Sequence, residues 1–525
     1  MTDAVPPTDL TPRQPLGQRL AEVLLIVLVF FVMAGDPPPG VNEPHYLCRL
    51  KHFWNPGWCA GDLFLESTDT QVAFIWAFGW MTRWLSLSAT AWVGRAVAWT
   101  LLAWAWQRLS WRLVPRRLAA VLSAGLFVTL SALAHLAGEW VVGGVEAKCF
   151  AYFFVLMGLH EMIDRRWNAV WFLFGTACAF HPLVGGWSGL VCAGIWLLDD
   201  RREVRPLSML PGFVAGGLVA LVGILPALML TRNVPADVVA ESSRIYVFER
   251  LPHHLALLTL PREEATRRFA GHAVLIVALW LMMRGSKALA GLVAPLRPIG
   301  QFAWGAILLA IIGLAIEVAL WSQPLFAARL LRYYWFRLTD FAVPMAVALY
   351  TVAIISAGLE RQCRWAMWAL TIVLVSVGWQ LSSTARQRAF DPVPLADAKV
   401  RDFPAWVEAC EWIAENTPPD AVFLTPRLSQ SFKWRTGRAE VATRKDIPQD
   451  AQNMVEWHGR MKNIFSREVN GVTEWVDSPG KLGTERVRQL ADQYGFNYIL
   501  ADRGQLLALP VAYKNEEYVV YRVKN

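Results

Sequence analysis

The stretch Leu207–Leu230 reads LSMLPGFVAGGLVALVGILPALML, and no charged residue lies between Arg205 and Arg232. A helix of about 20 apolar residues is long enough to cross the hydrocarbon core of a bilayer. Gln301–Leu320 follows the same pattern, with Glu317 as its only charged residue. These two stretches predict membrane-spanning helices, and they are the starting point for interpreting the rest of the chain.

The composition indicates a membrane protein along most of the chain. Of the 525 residues, 55% are hydrophobic and 18% are charged, whereas about 25% of the residues in soluble domains are charged. The 27 tryptophans are typical of a polytopic protein, because indole rings favour the headgroup region. The net charge of +8 could indicate a nucleic-acid partner, but many basic residues flank apolar stretches. We interpret them as residues of cytoplasmic loops and expect no nucleic-acid partner.

Basic residues concentrate in the cytoplasmic loops of membrane proteins, and this rule orients the chain. We place five basic clusters inside, together with the N-terminus: Arg108/Arg112/Arg116/Arg117, Arg165/Arg166, Arg201/Arg202/Arg205, Arg284/Lys287/Arg297 and Arg361/Arg364. The spans then fall at 17–34, 88–107, 118–137, 146–163, 167–181, 184–198, 207–230, 270–284, 300–320, 335–357 and 365–381. The predicted fold is a polytopic α-helical membrane protein with about eleven transmembrane helices and an external C-terminus.

The spans divide the chain into regions. Residues 1–16 are expected to form a cytoplasmic tail before a first span that is not cleaved, because no convincing small-residue cleavage site follows it. The membrane domain covers 17–381, with a first outer loop at 35–87 and a second at 231–269. Residues 382–525 are polar and charged, with both strand-like and helical patterns. We therefore predict a small exported soluble α/β domain there.

One segment of the first outer loop allows two interpretations. Gln71–Leu87 is apolar enough to cross the membrane, but a crossing would place the Arg108–Arg117 cluster outside. We predict a helix that lies on the outer membrane surface, with Arg83 and Trp84 at the interface. A twelfth crossing with a local exception to the charge rule is the alternative.

The first outer loop carries carboxylates beside the bilayer, which suits chemistry on a lipid-borne substrate. Transfer of a sugar from a phosphate-linked lipid needs a base that takes the proton from the acceptor hydroxyl. Glu43 and Asp62 are the predicted catalytic carboxylates, with Glu43 as the base. The structural alternatives are an ion pair of Glu43 with Arg49 or His45, and a turn that Asp62 caps.

Sugar transfer also needs positive charge beside the departing phosphate. Arg329, Arg332 and Arg337 lie on the exported side or at its border, where positive residues are expected to be scarce. A guanidinium group can donate to two phosphate oxygens at once, so these arginines are predicted to bind the phosphate. The alternative for Arg337 is an ion pair with Asp340 on the same helix face.

Further ionisable residues near the outer boundary are candidate substrate-binding residues: Glu146, Lys148, Arg250, His253 and His254. Ionisable groups at a membrane boundary are unfavourable unless they are paired or used. Mutual pairing of Glu146 with Lys148 and a structural role for the two histidines are the alternatives. Because His253 and His254 are adjacent, they point in different directions and do not predict a chelate.

The remaining motifs exclude some classes and leave other questions open. The chain has no GxxxxGK[ST], HExxH or GxSxG motif and no GxGxxG between a strand and a helix. These absences argue against a P-loop ATPase, a zincin, a serine hydrolase and a nucleotide-cofactor enzyme. No cofactor is predicted, although the first-loop carboxylates could bind a divalent metal. Cys48 and Cys59 could form a disulfide in an exported loop, and His181 is expected to cap a turn.

The chain resembles the GT-C superfamily of integral-membrane glycosyltransferases, which includes polyprenyl-phosphate-dependent mannosyl and aminoarabinose transferases. The resemblance covers residues 20–379 and rests on an uncleaved first span, an acidic first outer loop, a second span that opens with Gly94-Arg95, and many further spans. In that family the first outer loop typically carries an Asp or Asp-Glu that acts on the acceptor. Here the matching place reads Asn42-Glu43-Pro-His-Tyr-Leu, so Glu43 matches while Asn42 stands where Asp is common.

A group of uncharacterised bacterial membrane proteins is more similar still, because it shares Asn-Glu-Pro-His-Tyr-Leu, Glu-Ala-Lys and Pro-His-His. The predicted function is transfer of a sugar from a polyprenyl-phosphate- or polyprenyl-diphosphate-linked donor to a glycan, lipid or protein acceptor, on the outer face of a bacterial inner membrane. One alternative is a transporter or flippase of a lipid-linked sugar, which would use the arginines without a base. Another is a non-catalytic scaffold whose exported domain binds a partner.

Overall fold

The structure, a computed structural model, describes residues 14–199, 204–285, 294–469, 471–504 and 506–523. Between residues 16 and 390 the described helices include one at each of the eleven predicted spans. In chain order they are α1 (Leu16–Ala34), α2 (Leu87–Leu113), α3 (Ala119–Leu133), α4 (Ala147–Ile163), α5 (Trp167–Phe180), α6 (Pro182–Leu197), α7 (Leu210–Met229), α8 (Arg262–Gly285), α9 (Arg297–Ala319), α10 (Arg337–Glu360) and α11 (Arg364–Phe390).

Apolar length explains why these stretches are helical, because a helix satisfies all of its backbone hydrogen bonds within the segment. Within the described ranges, six helices are long and apolar enough to cross a membrane, namely α1, α7 with the turn before it, α8, α9, α10 and α11. Helices α3, α5 and α6 are shorter apolar helices. The predicted polytopic α-helical fold class is confirmed.

Helix α10 forms the centre of the bundle. Every residue from Leu338 to Tyr350 is buried, and the helix packs against α3, α8, α9 and α11. A helix that is apolar on all sides is stable only when it is surrounded. Arg337 is the first residue of α10, so this packing holds its guanidinium group at the edge of the core.

The loop between α1 and α2, residues 35–86, is called the first loop. It folds into short helices at Glu43–Trp54, Leu63–Glu66 and Val72–Phe78, followed by a 3-10 helix at Gly79–Arg83. The last two helices occupy the apolar segment predicted to lie on the membrane surface. At 1.5 to 2.0 Å per residue they extend over roughly 20 Å, which is less than the ~30 Å of a hydrocarbon core. That this segment lies on the membrane surface stays a prediction.

The loop between α7 and α8, residues 230–261, is called the second loop. Its helix Ala236–Arg244 continues into a π-helical turn at Ile245–Arg250, and the helix Pro252–Leu255 follows. A π-helical turn is rare and often occurs at a functional site. The turn places Tyr246 and Arg250 four residues apart on the same short segment.

The predicted α/β domain is present after α11. Its sheet has five strands in the order β2-β1-β5-β7-β6, in which β1 is parallel to β2 and β5 while β7 is antiparallel to β5 and β6. The strands are β1 (Val422–Leu424), β2 (Ala439–Glu440), β5 (Tyr498–Asp502), β6 (Val511–Lys514) and β7 (Tyr518–Arg522), and a separate hairpin comprises β3 (Ser466–Val469) and β4 (Val472–Trp475).

Helices cover both faces of this sheet. Helix α12 (Phe403–Asn416) packs on one face, and α13 (Ala451–Phe465) and α14 (Thr484–Tyr494) pack on the other. Side chains alternate along β5, where Ile499 lies in one core and Leu500 in the other. This alternation follows from the period of two residues in a strand.

The α/β domain contacts both loops. Lys433 Nζ lies 3.2 Å from Asp62 Oδ2 of the first loop. Arg250 of the second loop donates from Nη2 to the backbone oxygen of Lys445 at 3.4 Å. The two loops and the α/β domain therefore lie at one end of the helix bundle, which is called the domain side.

Candidate functional site

A cavity of about 360 Å³ lies on the domain side, where the helix bundle, both loops and the α/β domain meet. Tyr46 and Gln71 of the first loop, Tyr246 of the second loop, and Gln449 and Met454 of the α/β domain all line it. A concave site of this size with a few convergent polar groups is typical of a ligand-binding site.

One wall of the cavity is apolar. Phe180 at the end of α5, Leu183 of α6, and Ile224, Ala227 and Leu228 of α7 form it. Leu228 is 64% exposed although it also lines the cavity, so α7 presents this residue both to the cavity and to the outer surface of the bundle. Leu228 thus connects the cavity wall with an outer surface that is apolar enough to face lipid.

The opposite wall is polar and cationic. Arg337 donates from Nη1 to Nε2 of His181 at 2.7 Å, and its guanidinium carbon lies 3.9 Å from the centroid of the Tyr334 ring. The hydroxyl oxygens of Tyr334 and Tyr246 are 2.8 Å apart. His181 is also the N-cap residue of α6, and its Nδ1 lies 3.4 Å from the Val184 nitrogen. The expectation that His181 caps a turn is confirmed.

The three arginines predicted to bind phosphate have different surroundings. Arg332 and Arg337 line the cavity. Arg332 donates from Nη1 to the Ser243 hydroxyl at 3.1 Å, and no carboxylate among the described residues forms an ion pair with it. Arg329 is exposed and donates to the backbone oxygen of Ala236 at 3.3 Å. Arg329 therefore lies outside the cavity wall.

A continuous network of buried charges extends from Arg337 to the first loop. Arg337 Nε lies 3.1 Å from Glu139 Oε2, and Lys148 Nζ lies 3.6 Å from the same oxygen. Lys148 is also 3.4 Å from Glu146 Oε2, and Asn42 donates to Glu146 Oε1 at 2.6 Å. Two cations thus face two carboxylates, which is the mutual pairing of Glu146 with Lys148 that the sequence left open.

The ion pair between Arg337 and Asp340, considered from their spacing, is not formed. The buried Asp340 carboxylate accepts instead from the backbone N–H groups of Leu136, Ala137 and Glu139, at 2.5, 2.9 and 3.0 Å. A residue three positions along a helix can share a face without being the nearest partner. Here Asp340 holds the loop before α4 in place, and that loop brings Glu139 to Arg337.

Glu43, the predicted base, is fully buried and fully hydrogen-bonded. Arg95 Nε and Nη2 each donate to one Glu43 oxygen at 2.7 Å. The backbone N–H groups of Gly40 and Val145 donate at 2.6 and 3.0 Å. The partner of Glu43 is therefore Arg95 rather than Arg49 or His45. Glu43 does not line the cavity, and its geometry is that of a residue that fixes the first loop to α2.

Asp62, the second predicted catalytic carboxylate, is buried and hydrogen-bonded like Glu43. It accepts from the Leu65 N–H at 3.0 Å, which is the capping role considered as the alternative. Lys433 lies 3.2 Å from Asp62, 2.5 Å from Glu440 and 2.6 Å from Asp446. Burial raises the pKa of Glu440 to about 7. This cluster joins the first loop to the α/β domain and lies apart from the cavity lining.

Arg250 and the two histidines of the second loop lie beside the cavity without lining it. His254 bonds through Nδ1 to the backbone oxygen of Ala137, and the ring centroids of His253 and His254 are 4.0 Å apart. Burial, with Arg250 as the next contribution, lowers the pKa of His253 to about 4. The histidine pair is therefore neutral near pH 7, and His254 has the structural role that the sequence left open.

The described residues contain no group of three His, Cys, Asp or Glu side chains arranged to hold a metal ion. Cys48 and Cys59 of the first loop are buried free thiols, and burial raises the pKa of both. The disulfide considered for them is not formed in this structure.

The sequence prediction missed several residues of the site. Tyr46, Tyr246 and Tyr334 line the cavity, and Lys445 lies beside Arg250. Tyr46 belongs to the segment Asn42-Glu-Pro-His-Tyr-Leu, whereas no motif marks Tyr246, Tyr334 or Lys445. A further signal is Arg95. An arginine within an apolar span requires a buried acidic partner, so its position predicts such a partner.

The chain was compared with protein families, curated proteins and solved structures. A family model described as "Domain of unknown function (DUF6798)" matches residues 404–464, and no curated protein matches the chain. Among solved structures, ArnT from Cupriavidus metallidurans bound to undecaprenyl phosphate is 14% identical with a TM-score of 0.50, and the match covers 97% of this chain and 99% of that chain.

Two further solved structures are similar. The apo state of the same ArnT is 15% identical with a TM-score of 0.48, covering 97% of this chain and 98% of that chain. The Archaeoglobus fulgidus oligosaccharyltransferase in complex with Zn and sulfate is 14% identical with a TM-score of 0.42, and the match covers 92% of this chain and 68% of that chain. The match to undecaprenyl-phosphate-bound ArnT, a GT-C glycosyltransferase, confirms that the chain has the predicted GT-C-like fold.

Proposed function

We propose that the protein is a membrane glycosyltransferase that takes a sugar from a polyprenyl-phosphate-linked donor. The two-sided cavity is the observation that carries this proposal. Its apolar wall on α5–α7 suits an isoprenoid chain, and Arg332 and Arg337 on the opposite wall suit a phosphate. A phosphate leaves water readily only when charged donors replace its hydration. The lipid bound in the ArnT structure is undecaprenyl phosphate, which supports the same class of donor here.

The proposed reaction is a single displacement. The acceptor hydroxyl oxygen attacks the anomeric carbon, and the bond between that carbon and the phosphate oxygen breaks. The polyprenyl phosphate leaves with the bonding electrons, and the hydroxyl proton passes to a base. Arg332 and Arg337 stabilise the negative charge that develops on the leaving phosphate. The configuration at the anomeric carbon is inverted.

Glu146 is the carboxylate that we assign as the base. Like Glu43 it is buried and does not line the cavity, but Lys148 and Glu139 connect it to the cavity residue Arg337. All four donors around Glu43 point at its oxygens, whereas Glu146 has one short hydrogen bond, from Asn42 at 2.6 Å. Asn42 occupies the place where the resembling family commonly has Asp, so Glu146 supplies a carboxylate within hydrogen-bond distance of that place. The second oxygen of Glu146 lies 3.4 Å from Lys148.

The domain side is proposed to face outward from a bacterial inner membrane. Arg112 pairs with Asp164 at 2.6 Å, and Arg116 pairs with Glu360 at 3.0 Å. These residues lie at the ends of α2, α4 and α10 that are opposite the domain side. The positive-inside rule assigns that basic end to the cytoplasm. The acceptor, a glycan, a lipid or a protein, would then reach the cavity from the outside.

Binding of undecaprenyl phosphate to the full chain in lipid nanodiscs tests the donor assignment. Arg332→Gln removes a cation without a carboxylate partner from the cavity wall, and we expect it to weaken binding at least about tenfold, since a hydrogen bond to a charged group contributes about 1.5–3 kcal/mol. Arg329→Gln is the matched control, because Arg329 is exposed and lies outside the cavity. Equal effects of the two substitutions, or no binding by the unaltered protein, would refute the assignment.

Release of free polyprenyl phosphate from a sugar-linked donor tests the chemistry. Glu146→Gln should abolish this release while lipid binding persists, and the thermal midpoint of the variant shows whether it remains folded. A flippase would bind the lipid, move it across the bilayer and release no free polyprenyl phosphate. That outcome would replace the enzymatic proposal with the transport alternative.

A further inference from the structure

A second cavity, of about 250 Å³, lies in the α/β domain at the carboxyl ends of strands β1 and β5. It is called the sheet cavity. Pro426, Leu428 and Ser429, which follow β1, line it together with Asp502, the last residue of β5. Six further side chains also line it: Lys399, Arg401, Trp406, Asp477, Lys481 and Tyr518. The sheet cavity and the cavity of the candidate site have no lining residue in common.

The order of the strands explains the position of the sheet cavity. Strand β1 is parallel to both of its neighbours, β2 and β5. The chain runs from β1 to β2 on one side and returns to β5 on the other side of β1. The first connection packs Phe432 on the α12 face, whereas the second contains α13 and α14, which cover the opposite face. In open α/β sheets ligands bind outside the carboxyl ends of the strands, where the strand order reverses.

Two buried aromatic side chains contribute to the sheet cavity. Trp406 and Tyr518 are 0% and 2% exposed. Trp406 is fixed by a hydrogen bond of 3.0 Å from its Nε1 to the Ser431 hydroxyl. The Tyr518 hydroxyl accepts from the Arg401 N–H at 3.2 Å, and no described residue accepts its own proton. The cavity therefore offers apolar ring surface and a hydroxyl donor that a ligand can use.

The two carboxylates of the sheet cavity differ in how they are paired. Asp477 accepts two hydrogen bonds from Arg427, at 2.6 and 3.0 Å. Asp502 Oδ2 lies 4.0 Å from Arg401 Nε, and Arg401 Nη1 lies 3.7 Å from Glu517 Oε2. Both of these distances are too long for a hydrogen bond. Burial raises the pKa of Asp502, and Arg401 opposes that shift. Asp502 and Arg401 thus keep hydrogen-bonding groups that a ligand can use.

Two lysines add positive charge to the sheet cavity. Lys399 precedes α12, and Lys481 lies on the 3-10 helix Pro479–Leu482. Both side chains are exposed, and neither forms an ion pair within the described part of the chain. A single exposed lysine is well solvated and needs no partner. Two lysines that converge with Arg401 on one cavity favour a ligand with negative charge.

We infer that the sheet cavity binds a saccharide that carries a phosphate or carboxylate group. Sugar hydroxyls both donate and accept, which matches the Asp502 carboxylate beside the Arg401 guanidinium and the Tyr518 hydroxyl. The charged group of the sugar would meet Lys399 and Lys481. A cavity of about 250 Å³ is smaller than most sites for drug-sized ligands, so it suits a single sugar ring. The inference goes beyond the proposed function, because it assigns a second binding site to the α/β domain.

Isothermal titration calorimetry on the full chain in lipid nanodiscs tests the inference. The probes are the 6-phosphates and the uronates of glucose, galactose and mannose, with the neutral hexoses and inorganic phosphate as references. At least one charged sugar should bind at least about tenfold more tightly than its neutral hexose and than inorganic phosphate. Lys481→Gln and Asp502→Asn should each weaken that binding at least about threefold. Lys514→Gln, at an exposed lysine outside the sheet cavity, is the matched control.

Several outcomes of the titration would overturn the inference. Inorganic phosphate that binds as tightly as every sugar phosphate would show a site for simple anions. Neutral hexoses that bind as tightly as the charged sugars would remove the role of the lysines. Binding that is lost in Arg332→Gln and unchanged in Lys481→Gln would place the sugar in the cavity of the candidate site. Binding of no sugar would also overturn the inference, and the proposed function would stand.

Amine acylation of the unaltered protein, followed by mass spectrometry, gives a readout that does not depend on the folding of a variant. A charged sugar that binds should protect Lys399 and Lys481 and leave Lys514 reactive. Unchanged reactivity of all three lysines would contradict the inference. The methyl glycosides of the uronates then distinguish two sources of the ligand. Binding equal to that of the free uronates would assign the site to the charged end of a glycan, and binding at least about tenfold weaker would assign it to a free sugar.

Discussion

The substitution Glu43→Gln separates a structural from a catalytic role for the first-loop acid. Glu43 and Arg95 are 0% and 1% exposed, and they share two hydrogen bonds of 2.7 Å. Glutamine keeps the shape of the side chain but leaves the Arg95 charge uncompensated. Removing one partner of a buried ion pair costs about 3–5 kcal/mol. We therefore expect Glu43→Gln to destabilise the protein by roughly that amount.

Thermal unfolding of the purified protein, followed by tryptophan fluorescence, measures this effect. With an unfolding entropy of about 2.1 cal/mol/K per residue, a chain of 525 residues loses about 1 °C in midpoint for each kcal/mol. The expected decrease is thus about 3–5 °C. Glu66→Gln changes an exposed carboxylate of the same loop and should shift the midpoint by less than about 1 °C.

The double variant Glu43→Gln/Arg95→Gln adds a second comparison. Removing both charges should be less harmful than the sum of the single effects, because no unpaired charge remains. A Glu43→Gln variant that melts with the unaltered protein but has lost transfer at every temperature would refute this reasoning. Such a result would indicate that Glu43 is the catalytic base.

Two further predictions follow from the same structure. Lys433→Met leaves three buried carboxylates without their cation and should lower the thermal midpoint by at least about 3 °C, whereas Lys514→Met, at an exposed lysine, should not. Leu228→Trp should narrow the lipid-facing wall and slow the binding of undecaprenyl phosphate in a stopped-flow assay, while Leu225→Trp, exposed on the same helix but outside the cavity, should not.

The helices of the membrane domain could be predicted because apolar length is a local property of the sequence. Stretches such as Leu207–Leu230 depend on no distant residue to be recognised, and each predicted span coincides with a described helix. The α/β domain could also be predicted from the sequence, since strand β5 and helix α14 each show the periodicity of their own secondary structure. The order of the strands in the sheet could not be predicted from the sequence, because β1 pairs with β5, which lies more than 70 residues away.

The site was harder to predict because its ion pairs join distant parts of the chain. The Arg95 partner of Glu43 is 52 residues away, and the Lys433 partner of Asp62 belongs to a different domain. Sequence spacing instead favoured near neighbours such as Arg49, whose guanidinium group donates to the Phe64 and Ser67 backbone oxygens. Local spacing shows which pairs are possible, but burial determines which pairs form.

Pairing distinguishes the structural cations of the domain side from those available to a ligand. Arg95, Lys148 and Lys433 each face carboxylates within 3.6 Å, so they hold helices and domains together and have no charge to spare. Arg332 and the Arg250–Lys445 pair face none among the described residues, and they lie at or beside one cavity with an apolar wall. A partly buried cation without an anionic partner is less favourable than a paired one, and a bound anionic ligand would supply that partner. The ligand that we propose, a lipid with a phosphate head group, would satisfy both the apolar wall and these cations.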